Sequence, residues 1–274
     1  MRLIYIFIIL TINSLFAGEI ITTNDFGLIE KEAGGLDGNS LVLFDVDATL
    51  IVPNDAILKP KGKDLFKRLI ASHTDRDLFR EIRMKAPHAL VDDRSINLVQ
   101  KLQRNKIPVI AFTAAPSKVR GVEQPGVWRV NELQKYGFDF SPAFPNSNFL
   151  ELPKEANQQH FPLFKSGVLY SSFHPKGDIL VIFLQQLGLE PRKVIFVDDE
   201  LEHVQSVVTS LDKQGIPCIG IHYTAANEVP CDLSVEQAHL QISHFIKHDI
   251  WLGDKESKQL LENASVGSSN FLIF

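Results

Sequence analysis

The sequence predicts an α/β protein built on a three-layer, Rossmann-like parallel sheet. Three observations lead there. Short apolar, β-branched runs recur at 41–44, 108–112, 193–197 and 216–221, each bounded by polar or turn residues, as strands buried on both faces are. Helix-period segments lie between them, and that alternation implies a parallel sheet covered on both sides. Two acidic pairs, Asp45 with Asp47 and Asp198 with Asp199, directly follow apolar runs. They therefore sit beyond the carboxyl ends of strands, where open α/β sheets bind ligands.

Taken in order, Met1-Arg2 followed by LIYIFIILTINSLFA reads as a secretory signal over 1–17, with a positive start, an apolar middle and a small residue at the end. The apolar run is shorter than the roughly 20 residues of a spanning helix, and no later segment could span a bilayer. The chain is thus expected to be exported to a periplasm, with no stable membrane insertion after signal removal. Residues 18–40 form an N-terminal arm with a helix near Asp25–Ala33. The core runs from 41 to 250. Asp92 or Asp93 can cap a helix carrying Ile96, Val99 and Leu102 on one face. From Gly177, residues Ile179, Ile182, Phe183 and Leu187 repeat at helical spacing up to Gly188. From Glu200, residues Leu201, Val204, Val208 and Leu211 do the same up to Gly215.

Two stretches break the alternation and read as small cap insertions above the sheet. Residues 51–91 hold two predicted helices, near Lys61–Ser72 and Asp75–Lys85. Residues 121–172 are rich in Pro, Asn, Phe and Gly, with one predicted helix near Val127–Tyr136. The last segment, 251–274, reads as a loose tail.

Composition narrows the function. The chain has 274 residues and a formal charge of −5, with no basic block. That argues against nucleic acid as a partner, because phosphate backbones need clustered Lys and Arg. An exported protein could pair its two cysteines, Cys218 and Cys231. The alternative is that Cys218 is a small buried residue in an apolar run.

The residues after the strands carry the chemistry. Asp45 and Asp47 follow the first run, Thr113 the second, Asp198 and Asp199 the third, and Lys176 opens a helix. Carboxylates gathered on one rim repel unless a cation joins them, and oxygen-only ligands suit Mg²⁺. Mg²⁺ and Lys176 would reverse the sign of the site, so that an anionic phosphate ester could approach. One carboxylate could then attack phosphorus. A second, two residues on and on the same side of the strand, could serve as acid and base.

These residues resemble the haloacid dehalogenase superfamily, in its phosphatase branch. Asp45-Val46-Asp47-Ala48-Thr49-Leu50 matches the first motif, Val109–Thr113 the second, Lys176 in HPKGDIL the third, and VIFVDDE at 194–200 the fourth. Within it the chain looks most like a group of exported bacterial proteins with the same FDVDxTL start. The resemblance implies a sheet in the order 5-4-1-2-3, with a small hairpin at Ile51–Leu58 and a second flap from FKSGVLYSS at 164–172. The third strand would lie near Phe138–Phe140 or elsewhere in 121–172. The resemblance also implies roles. Asp45 would be nucleophile and Mg²⁺ ligand, and Asp47 the acid/base, with its carbonyl on the metal. Thr113 would bond the phosphoryl group, helped by the amide of Ala114. Lys176 would hold Asp45 and the phosphate, while Asp198 and Asp199 bind Mg²⁺. The partner would be a small phosphorylated substrate.

Other readings stand beside these. Lys165 is the alternative to Lys176. Asp199 could simply cap the helix near Glu200. His203 could approach the rim, though a polar helix face suits it better. His244 and His248 sit one helical turn apart, a spacing that can bind metal, but with no third ligand evident they read as a wet helix surface. Trp128 and the Phe-rich 138–149 segment could line a pocket or pack an insertion. A binding or scaffolding protein on the same fold is one functional alternative, and phosphotransfer to an alcohol is another.

Overall fold

Period-two alternation in the apolar runs decides how the sheet is layered. The computed structural model describes residues 18–73, 77–153 and 160–269; the predicted signal at 1–17 lies outside them. At the centre are β2 (Ser40–Phe44), β5 (Val109–Thr113) and β9 (Lys193–Asp198). Val42, Phe44, Val109, Ala111, Ile195 and Val197 enter one apolar core. Leu41, Leu43, Ile110, Phe112, Val194 and Phe196 enter the other. The first core is covered by α1 (Phe26–Ala33), α4 (Arg94–Arg104) and α5 (Val127–Lys135), the second by α6 (Lys176–Leu187) and α7 (Leu201–Lys213). Each fully buried aliphatic or aromatic side chain here contributes roughly 1.5–3 kcal/mol of transfer free energy.

The remaining strands are β1 (Glu19–Thr23), β3 (Ile51–Pro53), β4 (His88–Leu90), β6 (Phe149–Glu151), β7 (Leu163–Lys165), β8 (Val168–Tyr170) and β10 (Cys218–Tyr223). Among the described residues, eight strands form one sheet in the order β1-β10-β9-β2-β5-β8-β7-β6. It is parallel from β1 to β8, and only the last two pairings are antiparallel.

Three expectations change and one open choice is decided. The N-terminal arm is not separate: β1 pairs in parallel with β10 and extends the sheet, and α1 packs Phe26 and Ile29 into the first core. The next strand beyond β5 is β8, paired with it in parallel; it lies within 121–172, one of the two places expected for the third strand, and not near Phe138–Phe140. The FKSGVLYSS hairpin is no flap, because β7 and β8 pair inside the main sheet. Its two-residue turn places Ser166 at φ 46° and Gly167 at φ 82°, the left-handed pair that suits the twist of a tight hairpin. A Cβ on Gly167 would lie 2.0 Å from the Phe140 carbonyl oxygen, so glycine is required there for space as well. Lastly, the tail is helical over α9 (Asp254–Ser269).

The insertion at 51–91 is a cap, but it is closed differently from the predicted local hairpin. β3 pairs with β4 across the whole insertion. Between them stand two 3₁₀ turns, α2 (Lys63–Ile70) and α3 (Leu78–Lys85). The cap does not stand alone. Ile57, Leu58, Phe66, Leu78, Ile82 and Ala86 share an apolar cluster with Ala238, Ile242 and Phe245 of α8 (Val235–His248). Asp55 accepts from Trp251 Nε1 and the Asp254 amide, each at 2.8 Å, and Asp254 Oδ2 accepts from the Ala56 amide at 2.8 Å. The C-terminal segment thus ties the cap down.

Cys218 and Cys231 are both free. Cys218 is buried in β10, the small-residue reading, and its thiol is pushed up to about 12 by burial and by Asp212.

Candidate functional site

Strand alternation sends Asp45 and Asp198 to the same side of the sheet. In β2 and β9, Leu43 and Phe196 face the α6–α7 layer, and the residues two positions on, Asp45 and Asp198, follow them. There they meet Lys176, the first residue of α6. Lys176 Nζ donates to Asp45 Oδ1 at 2.5 Å, Asp198 Oδ2 at 2.7 Å and the Phe112 carbonyl at 2.8 Å. It is fully buried and lies 5.2 Å and 5.4 Å from the ring centroids of Phe112 and Phe196. The alternative, Lys165, sits on β7 with its Nζ 5.5 Å from the Phe149 ring, on the far side of the sheet order from β9.

Gly177 explains why α6 can bring Lys176 so close. Its amide donates to Ser206 Oγ on α7 at 3.0 Å, and a Cβ would lie 2.1 Å from the Ser206 carbonyl oxygen and 2.5 Å from Ser210 Oγ. In open space, Gly→Ala within a helix stabilises by about 1 kcal/mol. Here the backbone clash dominates, and overpacking of this kind costs about 1–3 kcal/mol. Gly177→Ala is expected to lower the melting temperature; an unchanged or raised melting point would show that α6 and α7 are not in this contact.

Asp45, Asp198 and Asp199 each offer an oxygen, and these lie within 4.8 Å of one another. Burial and the nearby Asp198 and Asp47 carboxylates, opposed by Lys176, push the Asp45 carboxyl up to about 7. Burial, Asp45, Asp198 and Glu200 push Asp199 up to about 9. Burial of Asp198 is outweighed by Lys176 and His203, which hold its carboxyl below the usual range. One ammonium therefore does not balance the cluster. The donor set is entirely oxygen, dense and anionic, and so fits a hard divalent cation such as Mg²⁺.

Asp47 goes elsewhere. The turn after β2 closes through Ala48 N–H to the Ile51 carbonyl at 2.7 Å and Ile51 N–H to the Val46 carbonyl at 3.0 Å, with Ala48 at φ 62°. Asp47 then accepts from Arg83 Nη2 on α3 at 2.8 Å and from Arg129 Nη2 on α5 at 2.6 Å. Burial raises its pKa, but the two guanidiniums win and hold its carboxyl well below the usual range. Neither arginine was among the residues singled out from the sequence. Thr113 is buried, and its Oγ1 accepts from the Ala115 amide at 3.1 Å. It shapes the loop whose Ala114, Ala115 and Pro116 line the cavity.

These groups border a cavity of about 480 Å³ between the sheet and the cap, within the usual range for small-molecule sites. Aromatic residues Phe66, Phe79, Trp128 and Phe173 line it with Asp45, Asp47, Asp199 and Arg129. Trp128 is therefore a pocket residue, while Phe138 and Phe140 stack on each other in the first core. Of its two readings, His203 takes the rim: it lines the cavity, with Nδ1 3.2 Å from Asp198 Oδ1. His244 and His248 have ring centroids 4.6 Å apart. Among the described residues, the His, Cys, Asp and Glu cluster with ligand spacing is the Asp45, Asp198 and Asp199 set.

Comparison with known proteins places the chain in a family. The family model described as "Protein of unknown function (DUF2608)" matches residues 22–258, and the chain belongs to that family. It is 31% identical over 141 residues to an "Uncharacterized protein" of Rickettsia felis, covering 48% of this chain and 46% of that one. It is 23% identical over 243 residues to an "Uncharacterized protein" of Rickettsia bellii, covering 82% and 83%. It is 29% identical over 133 residues to a "Putative outer membrane protein" of Chlamydia trachomatis, covering 48% and 46%. The matched segment thus spans about half the length of the first and third relatives. No solved structure matches the chain.

Proposed function

We propose that this member of the DUF2608 family is an exported, Mg²⁺-dependent phosphomonoester hydrolase of the haloacid dehalogenase type, working through an aspartyl-phosphate on Asp45. One observation carries the reading. Asp45, Lys176, Asp198 and Asp199, drawn from three separate segments, converge at the carboxyl ends of β2 and β9 beside a ligand-sized cavity. The central strands β10-β9-β2-β5-β8 agree with the 5-4-1-2-3 order that the resemblance implies. Export is supported by the outer-membrane name of the Chlamydia trachomatis relative. Among the described residues, no helix is long and apolar enough to cross a membrane.

An Asp45 carboxylate oxygen attacks phosphorus, a P–O bond forms, and the bond to the ester oxygen breaks. Water then attacks the same phosphorus, releasing inorganic phosphate and restoring the carboxylate. Lys176 fixes the orientation of Asp45 through its bond to Oδ1 and balances charge with Asp198. Mg²⁺ held by Asp45, Asp198, Asp199 and the Asp47 carbonyl would offset the charge on the phosphoryl oxygens. Asp47 is the proton carrier for the leaving oxygen and for the water. Its arginine partners oppose protonation, and an arriving anionic ester competes for those guanidiniums, which frees Asp47 for the transfer. Positioning and charge supply most of the acceleration in phosphoryl transfer.

The test is phosphate release from a panel of phosphorylated metabolites, with Mg²⁺ and with a chelator. Turnover is expected with Mg²⁺ and at least a 100-fold loss on chelation, on the order of the electrostatic effects of a single stabilising group. Absence of release from every compound favours a binding protein on this fold. Phosphate ester formed with an added alcohol, in place of free phosphate, identifies a transferase.

A further inference from the structure

Away from the acidic cluster, the cavity wall is built from aromatic rings, and three of them carry a guanidinium. The Arg83 Cζ lies 5.5 Å from the ring centroid of Phe79, that of Arg129 4.3 Å from Trp128, and that of Arg80 4.6 Å from Phe173. All six residues line the cavity. A stacked guanidinium holds its ring in one orientation. Two of the rings keep open surface: Phe173 is 58% exposed and Phe79 is half-buried. Phe173 also sits at φ 72°, a backbone region that a bulky residue enters only when its surroundings hold it there. Trp128 has a single polar atom, and its Nε1 already donates to the Pro116 carbonyl at 3.1 Å. What it offers the cavity is hydrocarbon. Half-buried Met84 adds a thioether to the same lining.

The cations of this wall each have a partner. Arg83 and Arg129 donate to Asp47, Arg80 pairs with Asp77, Lys63 with Glu200 at 2.8 Å, and Lys59 donates to the Pro230 carbonyl at 2.7 Å. In the mechanism above, the phosphoryl group exchanges with the arginines at Asp47. A second anionic group on the ester would have to break a further ion pair. A hydroxyl-rich skeleton would lose water against rings that return no hydrogen bond. An apolar group gains by leaving water and disturbs no pair.

We infer that the substrate is a phosphate monoester whose alcohol portion is uncharged and apolar, held among Phe79, Met84, Trp128 and Phe173. This rests on the hydrolase reading above. The test measures kcat/KM for benzyl and methyl phosphate, whose leaving alkoxides are closely similar in basicity, so that their ratio reports binding of the organic group. Hexyl phosphate separates a chain from a ring. Glycerol phosphate and a sugar bisphosphate represent hydroxylated and doubly phosphorylated esters, and acetyl phosphate reports turnover of a small activated compound. The benzyl-to-methyl ratio is expected to be about tenfold or more, near the least that one methylene contributes in an apolar pocket. Hexyl phosphate preferred to methyl phosphate but not to benzyl supports a ring; hexyl preferred to both supports a chain. Phe173→Ala is expected to lower the benzyl-to-methyl ratio by about threefold or more, the order of one buried methylene, and Phe173→Leu to recover part of it. A ratio of two kcat/KM values does not depend on how much of the enzyme is folded. A wild-type ratio near one overturns the inference without any variant, as does faster turnover of glycerol phosphate or the bisphosphate than of benzyl and hexyl phosphate. Release from acetyl phosphate with no apolar preference rejects the substrate class alone. No release from any compound, acetyl phosphate included, rejects the hydrolase reading and the substrate class with it.

Discussion

Asp45→Asn is expected to abolish phosphate release, by a factor of at least about 10³, while leaving the protein folded. The size follows from the role, because a substitution that removes a covalent nucleophile leaves only positioning and charge to act. The persistence of the fold follows from local electrostatics. Asp45 is buried, and burial with neighbouring carboxylates raises its pKa from about 3.8 to about 7. A carboxyl whose folded pKa is raised favours folding in its protonated form. That contribution is present below pH 4 and is lost as pH climbs through about 7. Asparagine mimics the protonated form and cannot ionise. In metal-free buffer the variant should therefore match the wild type near pH 4 and equal or exceed its stability near pH 8. Thermal denaturation at both pH values, alongside a phosphate-release assay, measures the two halves. Phosphate release at the wild-type rate would remove Asp45 as nucleophile. A melting temperature that falls with the substitution at pH 8 would mean that the ion pair with Lys176 outweighs the burial of Asp45.

How much of this was legible in the sequence depends on what each residue leans upon. Asp45, Asp198 and Thr113 were readable because each ends an apolar run, and strand period with parallel topology places such residues on one rim. Lys176 was readable because it opens a helix, and it stands on Asp45 in the structure. Arg83 and Arg129 were not. Both lie on short insertion helices, α3 and α5, whose placement comes from tertiary docking. An arginine on such a helix has the same sequence signature as a surface one. His203 was left between the rim and a polar face for the same reason: its helix is legible, but which edge faces the rim depends on how α7 seats against α6 at Gly177. Strand β8 was legible only as an arm of a hairpin flap; it spans just Val168–Tyr170, too short for periodicity to show that it belongs to the parallel sheet. The C-terminal buttress of the cap was missed because α8 buries one face against the cap and Asp254, at the start of α9, bonds Asp55 and Ala56 nearly two hundred residues earlier, long-range contacts with no local pattern.

The cap and its buttress bear on how the site works. Lys85 Nζ bonds Asp249 Oδ2 at 2.6 Å and Lys59 Nζ bonds the Pro230 carbonyl at 2.7 Å. With the shared apolar cluster, these ties hold α2 and α3 to the C-terminal helices. Arg83 reaches Asp47 from that tethered cap. The cap is thus a wall that carries a guanidinium to Asp47, and under the hydrolase proposal an arriving ester would exchange this ion pair without opening the whole insertion.

Lys176→Met should carry the largest stability effect of any single substitution at the site. Methionine fills similar space but leaves Asp45 and Asp198 facing each other without the ammonium that now contacts both at 2.5 Å and 2.7 Å. Removing one partner from a buried ion pair costs about 3–5 kcal/mol, because the remaining charge is left uncompensated. At about 2–4 °C per kcal/mol for a domain of this size, the metal-free variant should melt roughly 6–20 °C below the wild type. Two further measurements separate charge from packing. Adding Asp198→Asn to Lys176→Met removes one of the two stranded carboxylates and should recover part of the lost stability; a loss caused by shape would not be recovered. Mg²⁺ should raise the melting temperature of Lys176→Met by more than it raises that of the wild type, since the same oxygens that lost the ammonium are those proposed to hold the ion. If Lys176→Met melts with the wild type and responds to Mg²⁺ no differently, the acidic cluster does not depend on a cation, and the charge argument for the site fails at its root.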